Sequence, residues 1–93
     1  MKYEVILKRK VAKGLHKLPL QVQKKLAVLA NDLRDTGPVQ PAWQNYSTLS
    51  STEYHGHVGI SWVACWRHEK QSIVIEVYYV GSREKAPYRS HII

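Results

Sequence analysis

The sequence predicts an α+β fold in which a strand, a helical hairpin and an antiparallel three-strand meander follow one another. Three observations predict it. The first residues alternate between two faces, the next stretch carries apolar residues at helical spacing, and the second half holds three runs rich in β-branched and aromatic residues. A chain of 93 residues is expected to form one domain, 1–93, with its helices on one face of a small sheet.

The N-terminal segment predicts a strand followed by a short helix. Tyr3, Val5 and Leu7 lie on one side of an alternating pattern, which is typical of a strand with one well-buried face. The basic residues 8–10 end this strand. Val11–Lys17 is expected to form a short helix, which its glycine weakens by up to about 1 kcal/mol relative to alanine.

The second helix of the hairpin is the clearest element. Pro19 suits its first turn, where the missing N–H would have had no partner. Gly37 and Pro38 are expected to end it, because glycine adopts the left-handed cap and proline cannot continue a helix. The apolar stripe between these ends recurs at helical spacing, at Val22, Leu26, Leu29 and Leu33.

The second half predicts a loop and three strands. Residues 38–52 have the prolines, serines and threonines of a loop, and strands are expected at 53–58, 61–67 and 72–80. His68–Gln71 indicates a hairpin turn between the last two strands. In the last strand, strict alternation places Ile73, Ile75, Val77 and Tyr79 on one face and Val74, Glu76, Tyr78 and Val80 on the other.

The charge distribution predicts a polyanionic partner, either a nucleic acid or an acidic protein. Fourteen Lys and Arg against seven Asp and Glu give a formal charge of +7. Residues 35–66 hold no Lys or Arg, whereas residues 1–25 hold one acid and eight basic side chains. The eight are Lys2, Lys8, Arg9, Lys10, Lys13, Lys17, Lys24 and Lys25.

Composition also indicates a compartment. One cysteine cannot form an intramolecular disulfide, which is typical of a reducing environment. The N-terminus lacks the apolar run of a signal peptide, and no apolar stretch approaches the ~20 residues that cross a bilayer. The sequence therefore predicts a soluble cytoplasmic protein that does not associate with membranes.

Tyr54-His55-Gly56-His57 is the first candidate site. In a strand, His55 and His57 point to the same face, about 7 Å apart along the chain. Imidazoles titrate near neutral pH, so such a pair suits a general acid and a general base. Two other interpretations stay open: two exposed surface histidines, or a zinc site with Cys65 as a further ligand.

The segment after the last strand is the second candidate site. Arg83 would emerge at the end of the sheet, where a guanidinium binds phosphate through two hydrogen bonds, and Tyr88 would stack on a base or donate a hydrogen bond. A polar tail with Tyr88 tucked on the core fits the same spacing. Glu76 either lies on a partly open face or is buried with a partner. Cys65 is expected to pack in the core.

Three segments together resemble the RelE/ParE-type toxins of bacterial toxin–antitoxin pairs, and the resemblance covers nearly the whole chain. They are Tyr54-His55-Gly56-His57-Val58, Trp62-Val63-Ala64-Cys65-Trp66 and Glu76-Val77-Tyr78-Tyr79-Val80-Gly81-Ser82-Arg83-Glu84-Lys85-Ala86-Pro87-Tyr88. The last is similar to a RelE-like branch whose members end in a strand, a glycine and Glu-Lys-Ala-Pro-Tyr.

The resemblance implies a toxin that is a ribosome-dependent endoribonuclease. It would cut mRNA in the decoding site and so inhibit translation, with an antitoxin protein as its partner and with no metal or other cofactor. The 2′-hydroxyl beside the cut attacks the phosphate, which leaves a 2′,3′-cyclic or 3′-phosphate and a 5′-hydroxyl. An enzyme for this step withdraws the 2′ proton, stabilises the phosphorane and protonates the leaving oxygen.

The resemblance also implies site residues. His55 and His57 occupy the strand positions where well-known RelE toxins carry two lysines. Arg83 falls at their phosphate-contacting arginine, and Tyr88 at their substrate-stacking tyrosine. A further family arginine would fall near Val63, where nothing basic stands. The implied catalytic residues are therefore His55, His57, Arg83 and Tyr88. The implied RNA-binding residues are Lys8, Arg9, Lys10, Lys13, Lys17, Lys24, Lys25 and Lys85.

Two alternative functions differ in class. ParE-like members of the same family poison gyrase and have no RNase site. A non-catalytic binding module would need only the basic surface. The histidine pair, together with Arg83 and Tyr88, favours the RNase branch.

Overall fold

A mixed five-stranded sheet forms the centre of the computed structural model, which describes residues 2–87. Its strands are β1 (Glu4–Leu7), β2 (Ser47–Thr48), β3 (Glu53–His57), β4 (Trp62–His68) and β5 (Val74–Ser82). Their order is β1-β5-β4-β3-β2, in which β1 runs parallel to β5 and the other neighbours are antiparallel. The predicted α+β class and the meander are confirmed. Within the described residues, no helix combines the length and apolar character needed to cross a membrane.

Two helices follow β1 and pack on one face of the sheet. They are α1 (Arg9–Gly14), which continues into a 3₁₀ turn (Leu15–Lys17), and α2 (Leu20–Thr36). The first helix begins two residues before the predicted start, because the Lys8 carbonyl already accepts a hydrogen bond from the Ala12 N–H. The last residues of the predicted helix form the tighter 3₁₀ turn instead.

The predicted apolar stripe of α2 forms the helical side of the core. Its four residues are at most 3% exposed, and they cluster with Tyr54, Trp66, Ile75 and Val77 of the sheet. Full burial of one such leucine stabilises the fold by about 2 kcal/mol. Because the helices cover this face, the opposite face of β3, β4 and β5 is left for polar side chains.

Gly37 ends α2, as predicted. Its φ of 92° lies in the left-handed region, and its N–H donates to the Leu33 carbonyl at 2.9 Å. A Cβ at this position would lie 2.8 Å from the ring of Tyr3. Both the backbone conformation and this close approach therefore favour glycine.

The predicted alternation along β5 is wrong at its end, because the pairing with β4 shifts between Cys65 and Trp66. Trp66 pairs with Val77, but Cys65 pairs with Tyr79, so one residue of β5 is bulged out. As a result, Tyr79 leaves the predicted core face and Val80, opposite the buried Ala64, packs against the core. The alternation of residue types along the strand does not reveal such a bulge.

The predicted loop 38–52 contains the short edge strand β2. Ser47 pairs with His55 and Thr48 with Tyr54, in antiparallel register. The strand has only two residues and both are exposed, so it carries no alternating pattern of its own. It exists because the backbone groups of β3 accept a partner at this edge.

Candidate active site

The two candidate histidines lie side by side on the sheet face that the helices leave open. Tyr54, next to His55, points into the core, and alternation along β3 then sends both imidazoles to the opposite face. Their ring centroids are 6.2 Å apart, with the ring planes inclined at 61°. Across the sheet, His55 pairs with Cys65 and His57 with Val63.

His55 is held by the edge strand. The hydroxyl of Ser47, directly opposite on β2, lies 2.9 Å from its Nδ1. Burial lowers the pKa of His55, a hydrogen bond to the Ser47 backbone acts in the opposite direction, and the neighbouring His57 lowers it further. The net direction is downward, so the neutral imidazole is favoured near pH 7.

His57 is more enclosed, at 7% exposure. The side-chain nitrogen of Asn45 lies 3.3 Å from its Nδ1 and 3.5 Å from its Nε2. Burial lowers the pKa of His57, and the positive charge of Arg83 lowers it further.

Arg83 stands where β5 ends, as the sequence predicts. Its N–H donates to the Ser61 carbonyl at 2.8 Å, which fixes the backbone at the mouth of the β3–β4 turn. The side chain is exposed and lines an open pocket together with Ser61, Ser82 and Glu84. This position suits a guanidinium that receives a phosphate from solvent.

Gly81 keeps the backbone before Arg83 in place. A Cβ there would lie 2.7 Å from the Tyr79 hydroxyl, which donates to the Ser82 carbonyl at 2.7 Å. Any larger residue would displace the ring of Tyr79 and the backbone that it holds. The glycine that precedes the arginine is therefore needed for packing.

The far end of the open face is closed by a network of charges and aromatic rings. Arg67 lies 3.4 Å from the Glu76 carboxylate and stacks over the Tyr78 ring at 4.4 Å. Tyr78 in turn donates to Glu53 at 2.8 Å. Glu76 is thus partly exposed and paired with Arg67. Val63, near which the sequence resemblance would place a further arginine, is fully buried.

The remaining predicted residues are spread more widely. The RNA-binding lysines and arginine of the sequence prediction are all exposed, and they lie directly before α1, on α1, on the turn after it, on α2 and on the segment after β5. Lys25 also lies 5.1 Å above the ring of Trp43. Tyr88 lies outside the described residues. Within residues 2–87, no group of three or more metal-ligating His, Cys, Asp or Glu side chains occurs, and Cys65 is buried in the sheet.

Sequence reasoning missed Asn45 and Ser47. Ser47 belongs to a serine-rich stretch and gains its meaning only from the register that places it opposite His55. Asn45 has a φ of 54°, a left-handed conformation that asparagine adopts more readily than most residues. The sequence shows only an asparagine in a predicted loop, and this does not indicate that its side chain contacts the ring of His57.

Three solved structures have the same fold. The archaeal RelE–RelB complex from Pyrococcus horikoshii OT3 matches with a TM-score of 0.73 and 17% identity, over 92% of this chain and 100% of that one. An arginine-to-alanine mutant of the E. coli toxin RelE in the free state matches with a TM-score of 0.72 and 16% identity, over 100% of both chains. The isolated E. coli RelE toxin matches with a TM-score of 0.67 and 15% identity, over 96% of this chain and 93% of that one.

The sequence comparisons add no relative. No protein-family model matches the chain. A comparison with curated protein sequences finds no match either. At these identities the structural matches establish a RelE-like fold, which confirms the fold that the sequence resemblance implied.

Proposed function

We propose that this protein is the toxin of a toxin–antitoxin pair, and that it acts as a ribosome-dependent endoribonuclease that cleaves mRNA and inhibits translation. One observation carries the proposal. On a RelE-like fold, the open face of the sheet holds two imidazoles 6.2 Å apart, and the exposed Arg83 stands at the end of β5, where its positive charge acts on His57. A base, an acid and a fixed positive charge are the groups that suit phosphoryl transfer to a 2′-hydroxyl.

The proposed chemistry needs a base, an acid and a fixed positive charge. One of His55 and His57 takes the proton of the 2′-hydroxyl, and the other protonates the leaving 5′-oxygen or supports it electrostatically. Arg83 binds the scissile phosphate and stabilises the charge that grows on its oxygens. Tyr88, which lies beyond the described residues, is proposed to orient or stack on a base.

Binding is assigned to the exposed basic residues. Lys8, Arg9 and Lys10 follow β1, and further lysines lie on α1 and α2. Such side chains neutralise phosphates and release counterions, so we propose that they dock the protein on ribosomal RNA. Lys85, two residues after Arg83, would bind the mRNA itself.

The proposed partner is an antitoxin protein. One of the structural matches is a RelE–RelB complex, so this fold is found bound to such a protein. In this chain an apolar groove lies between β1 and α2, lined by Val5, Leu7, Leu15 and Leu26. A segment with apolar and acidic side chains would fit this groove and the basic surface beside it.

The test is induction of the chain in bacteria, followed by primer extension on a translated mRNA. Codon-phased cuts are expected for the wild type. His57→Ala and Arg83→Ala should each abolish both the cuts and growth arrest, because each removes a group that touches the reacting atoms. His16→Ala is the matched control, since His16 is exposed on the 3₁₀ turn and is expected to leave cleavage intact.

Circular dichroism of each variant separates loss of activity from loss of fold. A folded double variant of His57 and Arg83 that still arrests growth would contradict the proposal. A wild type that arrests growth without cutting mRNA, while DNA supercoiling changes, would point to the gyrase-poisoning alternative instead.

A further inference from the structure

A cavity of about 380 Å³ lies between α2 and residues 40–44, apart from the candidate active site. Its volume is in the range of about 300–1,000 Å³ that is usual for sites that bind small ligands. The last of these residues, Gln44, also touches the candidate site, because its carbonyl accepts a hydrogen bond from the His57 N–H at 3.0 Å. One segment of backbone therefore connects the cavity with the histidines.

Gln40 contributes a fixed hydrogen-bond acceptor to the cavity wall. The residue is only 7% exposed, and its side-chain nitrogen donates to three acceptors, which are the Thr36 hydroxyl at 2.7 Å and the carbonyls of Gly37 at 2.8 Å and Asp32 at 3.2 Å. Carbonyl oxygens only accept, so these partners determine which end of the amide carries the nitrogen. Among the described residues, no group donates to the other end, the oxygen Oε1. Because Gln40 lines the cavity, a ligand can reach this oxygen.

Asp32 contributes a second acceptor to the same cavity. The Nε1–H of Trp43 donates to its Oδ2 at 2.8 Å, which holds the carboxylate in one orientation. In the part of the chain that the structure describes, no side chain or backbone N–H donates to the other oxygen, Oδ1. An ionised carboxylate can only accept hydrogen bonds. The wall thus offers two oxygens that lack donors, one on Asp32 and one on Gln40.

The other lining residues suit a ligand that is apolar on its faces and carries a negative charge. Trp43, Val28 and Ala42 supply apolar surface, and Val28 is 51% exposed. Lys25 is exposed, and its ammonium group lies 5.1 Å from the centre of the Trp43 ring. This charge attracts a phosphate and repels a cationic ligand that the two acceptors would otherwise suit. A nucleotide has the required combination of a planar base and a phosphate.

The two acceptors select among the bases. On its Watson–Crick edge, guanine presents two neighbouring donors, the ring N–H and the exocyclic amino group. Adenine and cytosine present one amino group beside a ring nitrogen that accepts, and uracil presents one N–H between two carbonyls. Each acceptor atom of these three bases would face a wall oxygen without a hydrogen bond between them, which costs binding free energy. Guanine is therefore the base that fits the wall.

We propose that this cavity binds a guanine base of single-stranded RNA, with Asp32 and Gln40 accepting from its Watson–Crick edge and Lys25 contacting the attached phosphate. The inference goes beyond the proposed function, because it assigns a base-specific site outside the catalytic groups. An RNA that is held here would extend along the segment that reaches His57. Binding at the cavity does not depend on cleavage, so the protein alone can be tested.

The first experiment compares three five-nucleotide RNAs that differ at the central base, UUGUU, UUAUU and UUGUU with inosine in place of guanosine. Inosine lacks only the exocyclic amino group, so one wall oxygen loses its donor. Fluorescence anisotropy of labelled RNA with the purified protein should show that the guanine RNA binds at least about 10-fold more tightly than the inosine RNA. The adenine RNA should bind no better than the inosine RNA. In NMR spectra, the guanine RNA should shift the indole N–H signal of Trp43, which Trp43→Phe identifies.

Asp32→Asn tests the acceptor with little change of shape. The oxygen of asparagine can still accept from Trp43, but an amino group then replaces the free oxygen, so the ratio of affinities for the guanine and inosine RNAs should fall to about 1. Asp35→Asn is the matched control, because it removes the same charge from an exposed position of α2 that does not line the cavity. It should leave the ratio unchanged. Lys25→Ala should weaken binding of all three RNAs by a similar factor.

Primer extension in cells distinguishes two sources of the base. If the guanine belongs to the mRNA, Asp32→Asn should change which sites are cut, relative to Asp35→Asn. If it belongs to ribosomal RNA, the same variant should reduce all cuts by a similar factor and leave their pattern unchanged. Either result supports the site, and cuts that are equal in pattern and amount in both variants would overturn its part in RNA binding.

The remaining outcomes separate this inference from the proposed function. Equal affinity of the wild type for the guanine and inosine RNAs would overturn the inference, whether or not Asp32→Asn folds. A shift of the Trp43 signal by arginine amide, but not by the guanine RNA, would mean that the two acceptors bind a cation instead. A wild type that prefers the guanine RNA and cuts no mRNA would overturn the proposed function and leave the guanine site standing.

Discussion

The hydroxyl of Tyr78 on β5 donates a 2.8 Å hydrogen bond to the carboxylate of Glu53 on β3, across the intervening strand β4. The shift in pairing at Cys65 brings Tyr79 to the open face as well, beside Tyr78, which alternation along β5 already places there. The ring of Tyr78 also carries the guanidinium of Arg67 at 4.4 Å. One tyrosine thus joins the three central strands beside the candidate site.

Tyr78→Phe is expected to reduce stability without removing the ring. The variant deletes the donor to Glu53 and leaves the stacking with Arg67, so the free energy of unfolding should fall by about 1–2 kcal/mol. Urea unfolding measures this change. Tyr79→Phe is the matched control: its hydroxyl bonds a carbonyl only three residues away, and the loss should be smaller. A larger loss for Tyr79→Phe would contradict the role given to Tyr78.

Gly81→Ala is expected to impair cleavage through the position of Arg83. The new methyl group would lie 2.7 Å from the Tyr79 hydroxyl, so the ring must move and release the Ser82 carbonyl next to Arg83. A misplacement of the phosphate-binding group by about 1 Å costs on the order of 10–100-fold in rate, which the primer-extension assay would detect.

The control for this variant is Gly14→Ala. A Cβ at Gly14 meets no atom within 4 Å, so cleavage should not change. Adding Tyr79→Ala to Gly81→Ala removes the overlapping ring and should recover part of the activity. Full activity of Gly81→Ala alone would show that the backbone before Arg83 tolerates a side chain.

Periodic patterns predicted the parts of this fold that depend on burial. The stripe of α2 and the alternation of β3 each set one face against the core, so the helix and the shared face of His55 and His57 could be predicted from local sequence. The end of β5 could not, because a bulge changes which residues face the core without changing their apolar character.

The contacts within the site depend on pairing between distant segments. Ser47 touches His55 only because β2 joins the edge of β3, and two exposed residues carry no signal of that pairing. Arg67 and Glu76 likewise face each other through the register of β4 and β5. The residues able to carry chemistry could be identified from the sequence. The side chains that contact and position them could be identified only from the pairing of the strands.

Cys65 is expected to resist thiol reagents in the folded protein. The residue is fully buried, and burial raises the pKa of its thiol to about 12, so almost no thiolate exists at neutral pH. Incubation with a disulfide-forming chromogenic reagent at pH 8 should label the native protein very slowly and the urea-unfolded protein at once. Fast labelling of the native protein would mean that this part of the sheet opens readily.

The histidine pair predicts how stability depends on pH. The pKa values of both His55 and His57 are lowered from the ordinary 6.5, so below that pH the unfolded chain binds more protons than the folded one. The free energy of unfolding should therefore rise with pH up to the region of 6.5 and level off above it, as far as this pair contributes. Stability is lost as pH falls toward the lowered pKa values.

Chemical unfolding between pH 5 and pH 8 measures this dependence, and the double variant His55→Asn/His57→Asn isolates the contribution of the pair. Asparagine keeps a polar side chain and does not titrate. Below pH 6.5, the free energy of unfolding should therefore rise less steeply with pH in the variant than in the wild type. An unchanged slope would mean that the two imidazoles titrate in the folded protein as they do in the unfolded chain. The folded protein would then not favour the neutral form of these rings, which is the form that a general base needs.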